Sequence, residues 1–297
     1  MDRVSRIDNK LSAASPPWIF SIAKWMQRMR LRGGYRLLDL ADTYGFLDRI
    51  ARYQLSDQIT IDVPLYRTAN RWDRDDVLNY DKPTVSALAD AINLIPEPVT
   101  FIDCGADIGV MSILVAVQSA NIEQFIGIEP NAAAYEILKR NYECLPFQSK
   151  AIHGAVSNFN GLGELASPDY YPDDDHAKYL VPSETGKIPV YTIDNLGIEA
   201  GRYVALKLDV EGAELDAIEG AVLTLSNAKG FVVDVEAHPK VASRTGVDPV
   251  DVLRRLNEIK PCRFRICERP DVALDLERGF FEQVEDFNHD VVAISVT

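Results

Sequence analysis

The chain has 297 residues, and its 47% hydrophobic and 26% charged residues are ordinary for a soluble globular protein with one large domain, or a domain and a sizeable extension. A net charge of −14 argues against broad, sequence-independent binding to nucleic acid, so no nucleic-acid partner is expected. The four cysteines are scattered without a Cys-x-x-Cys pair, so neither a disulfide framework nor a cysteine metal site is predicted, and a reducing cytosol is the expected compartment.

The N-terminal segment differs in charge from the rest of the chain. Residues 1–36 contain eight Lys and Arg against two Asp, a net of +6, so the remainder has a net charge of −20. The segment lacks the long apolar core and the small-residue cleavage site of a signal peptide. No part of the chain approaches the roughly 18 uninterrupted apolar residues of a spanning helix. We therefore expect a cytoplasmic protein.

Residues 17–32 predict an amphipathic helix. Its apolar stripe has helical spacing and consists of Trp18, Ile22, Trp25 and Met29. Two interpretations stay open. The helix could lie on anionic lipid at the inner face of the membrane, as a peripheral contact. Alternatively, it could pack on the catalytic domain or on a second subunit of a homodimer, with its basic face in solvent.

The remainder of the front third predicts a second helix over residues 37–55 and a short strand over 60–63. We assign residues 1–80 to a mostly helical N-terminal extension that caps the main domain over 81–297. Ser-Pro-Pro-Trp at 15–18 is similar to a tetrapeptide that some base-modifying enzymes stack on a flipped base. The residues before it do not form a strand, so we interpret it as a Pro-Pro pair that opens a helix.

From residue 83 onward, helices and strands alternate. This pattern predicts a mainly parallel seven-stranded sheet with helices on both faces, and the closing strand–helix–strand predicts an antiparallel edge strand. The predicted strands are 99–103, 124–129, 150–156, 204–209, 231–236, 263–267 and 290–296. The predicted helices are 83–95, 112–119, 132–142, 213–225 and 249–259. A polar run at 169–175 predicts an exposed loop or lid.

The segment 99–131 predicts a ligand site at the first strand–helix turn. An apolar strand ends at Asp103, Gly105 and Gly109 bracket a tight turn, and the next strand ends at Glu129, 20 residues after Gly109. Glycines allow a ligand to approach the backbone closely, and a carboxylate accepts hydrogen bonds from ribose hydroxyls. This arrangement suits adenosine.

Two classes of nucleotide enzyme share this layout. Enzymes that bind dinucleotides have Gly-x-Gly-x-x-Gly, whereas this turn has only Gly-x-x-x-Gly. S-adenosylmethionine enzymes have an acid before the first glycine, which Asp103 supplies. A carboxylate attracts the ammonium group of that cofactor and would repel a pyrophosphate. The turn therefore favours a methyltransferase over an oxidoreductase.

Ionisable residues also follow two later strands. Ligands of open α/β sheets bind beyond the carboxyl ends of the strands, and buried charges are costly unless they bind something. The polar segments at these ends are Lys207-Leu-Asp209-Val-Glu211-Gly-Ala-Glu214 and Asp234-Val-Glu236-Ala-His238. For Glu211 and Glu214, a helix-dipole role is the structural alternative.

These segments carry a family resemblance over roughly residues 99–296. Lys-x-Asp-Val-Glu-Gly-x-Glu at 207–214 resembles the signature of the FkbM family of S-adenosylmethionine-dependent methyltransferases. Asp-Cys-Gly-Ala-Asp-Ile-Gly at 103–109 is similar to that family's Asp-x-Gly-Ala-Asn-x-Gly, and Glu-Pro-Asn at 129–131 matches its Glu-Pro-Asn. Asp107 stands where the family usually has Asn. A carboxylate can accept hydrogen bonds, but it lacks the N–H donor of the Asn side-chain amide.

The resemblance implies a class I, Rossmann-like methyltransferase sandwich with S-adenosylmethionine as its cofactor. It implies methyl transfer to a hydroxyl oxygen of a sugar, glycan or secondary metabolite. The expected cofactor-binding residues are Asp103, Gly105, Ala106, Asp107, Gly109, Glu129, Pro130, Asn131, Ala155 and Asp209. The candidates for the general base are Asp209, His238 and then Glu236, and Lys207 would orient the acceptor oxygen or keep the carboxylates ionised. No metal site is predicted, because no ligand spacing demands one.

Two other functions remain alternatives. The chain could be a non-catalytic binding protein on a degenerate methyltransferase fold, although the acids at 103, 129 and 209 are all present. It could also be a nicotinamide oxidoreductase, against which the missing third glycine argues. Fold alone does not choose among these functions.

Overall fold

A seven-stranded sheet forms the centre of the fold. The computed structural model describes residues 15–65, 72–170 and 177–296. The strands of the central sheet are β3 (Val99–Cys104), β4 (Ile122–Glu129), β5 (Gln148–His153), β10 (Tyr203–Leu208), β11 (Gly230–Ala237), β12 (Cys262–Ile266) and β13 (His289–Ser295). They are ordered β12-β13-β11-β10-β3-β4-β5.

The sheet is mainly parallel, which confirms the predicted architecture. β13 is antiparallel to both of its neighbours, and the other described pairs of neighbours are parallel. In one detail the sheet differs from the prediction, because the antiparallel strand lies one position inside the edge. The helix before β12 returns the chain to the parallel direction at the edge, and β13 then doubles back between β12 and β11.

Helices cover both faces of this sheet. In the main domain they are α4 (Lys82–Asn93), α5 (Val110–Gln118), α6 (Ala132–Glu143), α7 (Glu214–Glu219), α8 (Val222–Asn227), α9 (Pro239–Thr245) and α10 (Pro249–Ile259). The helix predicted over 213–225 is split into α7 and α8 at Gly220. A Cβ on Gly220 would lie 2.2 Å from the carbonyl oxygen of Ser157, so the chain passes close to a neighbouring loop there.

A second, four-stranded sheet was not predicted. Its strands are β6 (Ala155–Val156), β7 (Gly161–Ala166), β8 (Tyr179–Pro182) and β9 (Ile188–Tyr191), in the order β6-β9-β7-β8. The strand predicted over 150–156 therefore ends at His153, and its last two residues belong to this sheet. Of the loop predicted over 169–175, residues 171–175 lie outside the described residues.

The N-terminal extension contains helices α1 (Trp18–Arg28), α2 (Gly34–Thr43) and α3 (Arg74–Leu78), and the strand predicted at 60–63 is present as β2 (Thr60–Pro64). The helix predicted over 37–55 was wrong beyond Thr43. Residues Ile50–Gln54 instead form β1, which pairs antiparallel with β2. A short apolar run fits the periodicity of a helix as well as that of a strand, and here pairing with β2 makes the segment a strand.

Buried polar contacts tie this hairpin to the main domain. The Asp62 carboxylate accepts hydrogen bonds from Arg52 at 2.7 and 2.8 Å and from Arg140 of α6 at 2.9 Å. The Asn141 side chain accepts from the Asp62 N–H at 2.7 Å and donates to the Asp62 carbonyl oxygen at 3.0 Å. Because Asp62 and Asn141 are both buried, losing either would leave polar groups without water or partner. The division at residue 80 stays a prediction.

The predicted apolar stripe of α1 is not its packing face. Phe20 and Ala23 are buried, whereas Trp18, Ile22, Trp25 and Met29 are 73, 43, 54 and 59% exposed. The basic side chains instead face α3, where Lys24 pairs with Asp76 at 2.7 Å and Arg28 with Asp73 and Asp75. Within the described residues, no helix combines the length and apolar character needed to cross a membrane.

Candidate active site

A row of buried charges crosses the middle of the central sheet. Lys207 on β10 is in register with Asp103 on β3 and with Asp234 on β11. Residues in register on neighbouring strands point to the same face of a sheet, so the three side chains form a row. Their exposed fractions are 0% for Asp103, 6% for Lys207 and 1% for Asp234. An ammonium group therefore lies between two carboxyl groups.

Lys207 also pairs with the acid that follows its strand. Its Nζ donates to the Asp209 Oδ2 at 2.9 Å. Burial by itself lowers the pKa of Lys207, but the neighbouring Asp209 and Asp103 carboxylates outweigh that effect and raise the pKa well above its usual value. Lys207 is therefore protonated, and within the described part of the chain it is the one buried Lys or Arg.

Asp103 and Gly105 place a carboxyl group and bare backbone next to each other. Neither Asp103 oxygen has a hydrogen-bond partner among the described residues. Burial raises the pKa of Asp103, and Lys207 opposes this rise. At Gly105, φ is +78°, and a Cβ would lie 1.8 Å from the Asp209 carbonyl oxygen. Only glycine allows the turn after β3 to pass this close to the end of β10.

Glu129 joins the glycine turn to the start of α6. Its Oε2 accepts from the Asp107 N–H at 2.7 Å, and its Oε1 accepts from the Asn131 N–H at 2.7 Å. Asp107 has a φ of +49°, a left-handed conformation in which Asp and Asn are tolerated better than most residues. The Asn131 side chain caps α6 by accepting from the Ala133 N–H at 3.0 Å. The Glu129 carboxylate therefore holds two turns in place.

A cavity of about 390 Å³ opens at this edge of the sheet, a volume within the range of small-molecule sites. All but one of the residues predicted for the site line it, namely Asp103, Gly105, Ala106, Asp107, Glu129, Pro130, Asn131, Ala155, Lys207, Asp209, Glu236 and His238. Gly109 does not line the cavity. A Cβ there would lie 2.9 Å from the Leu138 Cδ1, so this glycine allows α5 to pack against α6.

The cavity also has walls that were not predicted from the sequence. Trp72 and Tyr80 contribute two aromatic rings whose centroids lie 5.2 Å apart, and Lys178 and Asn288 contribute polar groups. Trp72 and Tyr80 belong to the extension, Lys178 directly precedes β8, and Asn288 directly precedes β13. No periodicity or spacing around them indicates a site, because their position depends on how distant segments fold over the sheet edge.

Glu236 is the acid whose proton affinity is most affected by the cavity. Burial, followed by the carboxylates of Asp209, Asp290 and Glu211, raises the pKa of Glu236 well above its usual value. Its Oε1 accepts a hydrogen bond from the Asn288 side chain at 3.2 Å. A raised pKa makes the ionised carboxylate a stronger base, so Glu236 is suited to accept a proton.

His238 is held by the helix that it begins. Its Nδ1 accepts from the Lys240 N–H at 3.1 Å and caps α9. Burial and the Lys240 charge lower the pKa of His238. In the neutral ring the proton is then on Nε2, so the nitrogen lone pair is engaged in the cap and Nε2 is a donor. This arrangement favours Glu236 over His238 as a base.

The residues of the cavity fit a ligand that contains adenosine and a positive charge. Among the described residues the Asp103 carboxyl group has no hydrogen-bond partner, the glycine turn brings backbone without side chains to the cavity, and the Glu129 carboxylate is part of the cavity wall. The cavity is lined by more carboxyl groups than cationic groups, which favours a cationic ligand over an anionic one.

Comparison with known proteins places this site inside a family match. The model of the methyltransferase FkbM domain matches residues 103–266, more than half of the chain. No curated protein matches the chain. A solved structure of methyltransferase FkbM from Methylobacillus flagellatus KT is 18% identical, with a TM-score of 0.42 over 66% of this chain. The chain spans 43% of that protein's length.

Other solved structures are also similar. An S-adenosylmethionine-dependent O-methyltransferase from Thermotoga maritima is 14% identical, with a TM-score of 0.40 over 75% of this chain and 71% of its own. A precorrin-6y C5,15-methyltransferase from Geobacter metallireducens GS-15 is 10% identical, with a TM-score of 0.39 over 74% of this chain and 92% of its own.

We predict that Lys207→Met destabilises the protein most at alkaline pH. The raised pKa values of Asp103 and Asp234 mean that the folded state binds protons that the unfolded state releases. Stability linked to such groups is present at low pH and is lost as the pH rises through the folded-state pKa. Without Lys207 these pKa values rise further. Urea unfolding should show a loss of about 3–5 kcal/mol at pH 8 that shrinks toward pH 5.

Lys229→Met is the matched control, because Lys229 pairs with Glu97 at the surface. It should leave the pH dependence of stability unchanged. An equal loss at pH 5 and pH 8 in Lys207→Met would show that Lys207 stabilises the fold by packing and not by charge.

Proposed function

The chain belongs to the FkbM methyltransferase family, and from this we propose that it methylates a hydroxyl oxygen of a sugar, glycan or secondary metabolite. Its methyl donor is S-adenosylmethionine, as the family match indicates. The observation that best supports transfer to oxygen is the buried carboxyl group of Glu236, with its raised pKa, in the wall of the cavity. A hydroxyl acceptor has a proton that must leave, and Glu236 can accept it.

Three groups of this chain would hold the cofactor. Asp103 would face its cationic groups, Glu129 would accept hydrogen bonds from the ribose hydroxyls, and Ala155 would lie against the adenine. When bound, S-adenosylmethionine supplies a sulfonium-activated methyl group. Asp103 and Glu129 fix its orientation, and alignment of reacting groups reaches effective molarities of about 10⁵–10⁸ M.

Proton transfer would use the acids at the ends of β10 and β11. Glu236 in its ionised form would take the hydroxyl proton, directly or through one water, as the new oxygen–carbon bond forms. Lys207 would keep Asp209 ionised through their 2.9 Å contact, and the Asp209 charge in turn contributes to the raised pKa of Glu236. His238 would donate from Nε2 and orient the acceptor oxygen.

The new walls of the cavity support a neutral or cationic acceptor. Trp72 and Tyr80 offer an aromatic surface suited to the apolar face of a sugar ring or of a flat metabolite. The acids at 209, 211 and 236 would repel a phosphate or carboxylate placed beside them. An uncharged polyol, an amino sugar or a polyketide-like alcohol therefore suits the cavity best.

We predict that Glu129→Ala weakens binding of S-adenosylhomocysteine by about 10²-fold, as expected when hydrogen bonds to a charged group are lost. Isothermal titration calorimetry measures this. Because Glu129 also holds two turns, the ligand should be varied as well as the protein. An analogue that lacks the two ribose hydroxyls should bind the wild type weakly. Its affinity should fall little further in Glu129→Ala, because the hydrogen bonds to Glu129 are already missing.

Glu123→Ala is the control on the same strand, since Glu123 is exposed and pairs with Arg202. It should bind S-adenosylhomocysteine as the wild type does. Equal losses for both ligands in Glu129→Ala would show that Glu129 acts by supporting the turns alone. Binding of NADH in place of S-adenosylhomocysteine would instead favour an oxidoreductase.

We also predict that Glu236→Gln lowers kcat about 10²–10⁴-fold, the usual contribution of a general base. In the wild type, kcat should increase as the pH rises through the raised pKa of Glu236, because only the ionised carboxylate accepts a proton. This limb should be absent from the profile of Glu236→Gln. The measurement is release of S-adenosylhomocysteine on an acceptor found by screening hydroxylated compounds.

His238→Asn is the matched variant, because asparagine can cap α9 without an imidazole. It should lower kcat by less than about tenfold and keep the acid limb. If His238→Asn abolishes the limb and Glu236→Gln retains it, then His238 is the base. Retained cofactor binding without turnover on any acceptor would favour a binding protein.

We propose in addition that α1 places the protein on a membrane surface as a peripheral contact. Trp18, Ile22, Trp25 and Met29 form an exposed apolar face. Contiguous exposed apolar surface marks an interaction site, and tryptophan suits the lipid headgroup boundary. Exposed basic residues follow α1 in the chain, and their charge would complement anionic lipid, namely Arg30, Arg32 and Arg36.

The double substitution Trp18→Ser, Trp25→Ser should lower the fraction that floats with phosphatidylserine-containing vesicles, because it removes the aromatic part of this face. Leu223→Ser, an exposed apolar position on α8, is the control and should float like the wild type. If neither wild type nor variant floats and the double variant alone changes its sedimentation coefficient, the face is a homodimer interface.

A further inference from the structure

A cluster of carboxyl groups lies beside the cavity without lining it. One oxygen each from Asp81, Glu268 and Asp290 lies within 4.8 Å of the other two. Asp81 precedes α4, Glu268 follows β12, and Asp290 is in β13. Three acids from separate parts of the chain therefore converge, although like charges at this distance repel one another.

One hydroxyl group makes two short contacts with carboxylate oxygens of the cluster, and it has only one proton to donate. The Thr84 hydroxyl oxygen lies 2.9 Å from the Asp81 Oδ1 and 2.9 Å from the Asp290 Oδ2. A hydroxyl group donates one hydrogen, so it satisfies only one of these two carboxylates. The other short oxygen–oxygen contact needs a further proton or a cation between the oxygens.

A fourth, fully buried acid faces the same place. Asp234 is 1% exposed, and neither of its oxygens has a hydrogen-bond partner among the described residues. It is in register with Val292 on the antiparallel strand β13, and Asp290 is two residues from Val292. Asp234 and Asp290 are thus diagonal neighbours on one face of the sheet, within reach of each other.

The raised pKa values of Asp234 and Asp290 agree with the placement of these two acids beside each other. Burial, followed by the Asp290 carboxylate, raises the pKa of Asp234 well above its usual value. Burial, followed by the Asp81 carboxylate, raises the pKa of Asp290 to about 8. Lys207 lowers both pKa values, but it also interacts with Asp103 and donates to Asp209, so it does not neutralise this cluster.

Other contacts orient the oxygens. The Glu268 Oε2 accepts from the Asp290 N–H at 3.2 Å and contacts the His289 Nδ1 at 3.3 Å. The carboxylate of Glu268 is therefore positioned by the backbone N–H of Asp290 and by His289, which is outside the cluster. Hydrogen-bonded carboxylates of this kind are typical of ligands around a metal ion.

We propose that Asp81, Glu268 and Asp290, with Asp234 behind them, bind one divalent cation of the hard class, Mg²⁺, Mn²⁺ or Ca²⁺. All donors are oxygens, which is the set that these cations prefer. These ligands are not the acids that line the cavity, such as Asp209 and Glu236. The proposal does not depend on methyl transfer.

The cation would also fix part of the cavity. Tyr80, which lines the cavity, directly precedes Asp81, and Asn288, which bonds Glu236, is two residues before Asp290. Bridging Asp81 and Asp290 therefore joins the start of α4 to the start of β13 and holds both wall residues. The sequence predicted no metal site, because these ligands are far apart in the chain. They come together only through the β12–β13 pairing and the contact of the start of α4 with β13.

The test is Mn²⁺ binding to the full chain after treatment with a chelator, followed by electron paramagnetic resonance of free Mn²⁺. The wild type should bind one Mn²⁺ per chain, and Tm should rise with Mn²⁺ concentration. Asp290→Asn and Glu268→Gln keep the size of each side chain, and each should weaken binding at least tenfold and abolish the rise in Tm. Glu277→Gln, an exposed acid outside the cluster, should bind as the wild type does.

Loss in both cluster variants, with binding retained in Glu277→Gln, supports the site. The proposal is overturned if the wild type binds no Mn²⁺, or if either cluster variant binds as tightly as the wild type. If protons and not a cation stabilise the cluster, the Tm of the wild type will not respond to Mn²⁺. Asp290→Asn will then have a higher Tm than the wild type without added Mn²⁺. Should Asp290→Asn fail to fold, Asp81→Asn replaces it, because Asp81 precedes α4 and lies in no strand of the sheet.

Discussion

The ammonium group of Lys207 is the feature on which the site depends. It lies in register between Asp103 and Asp234 and donates to Asp209. Burying these acids without a cation would cost several kcal/mol for each charge, or would force them to take up protons. One lysine on the middle strand therefore allows acids to occupy the ends of three neighbouring strands. The ionisable groups that line the cavity depend on this arrangement.

Backbone geometry at the neighbouring turns is just as restrictive. Gly105 lets the chain pass within contact of the residue 209 carbonyl, and Glu129 holds the amides of Asp107 and Asn131. Glu129 thus serves the fold and, in the proposed function, the ribose. Asn131 shows a further division of roles, since its side chain caps α6 and its N–H is bound by Glu129. The motif residues of this site therefore have structural roles that do not depend on a ligand.

The sequence predicted the parts of the fold that depend on local pattern and on strand ends. Strand–helix alternation was enough for the central sheet, and acids at strand ends meet at one edge because parallel strands place them there. Gly109 was predicted to bind the cofactor, and that stays a prediction; in the structure this glycine lets α5 pack against α6. The hairpin at Ile50–Gln54 was missed because a short apolar run fits both periods. Trp72 and Tyr80 depend on tertiary packing, for which a single sequence has no local signal.

The incomplete charge balance at this edge also explains why stability and function meet here. Lys207 offsets part of the charge of the inner row. Glu236 and Asp290 lie opposite each other on β11 and β13, where the acids outnumber the cations. Their raised pKa values reduce stability as the pH rises, because the folded state must then hold ionised carboxylates that are buried and close to other carboxylates. A proton acceptor near neutral pH requires such a shift, since a fully paired carboxylate would titrate too low. The acids that cost the fold most are thus the ones best suited to move a proton or to bind a cation.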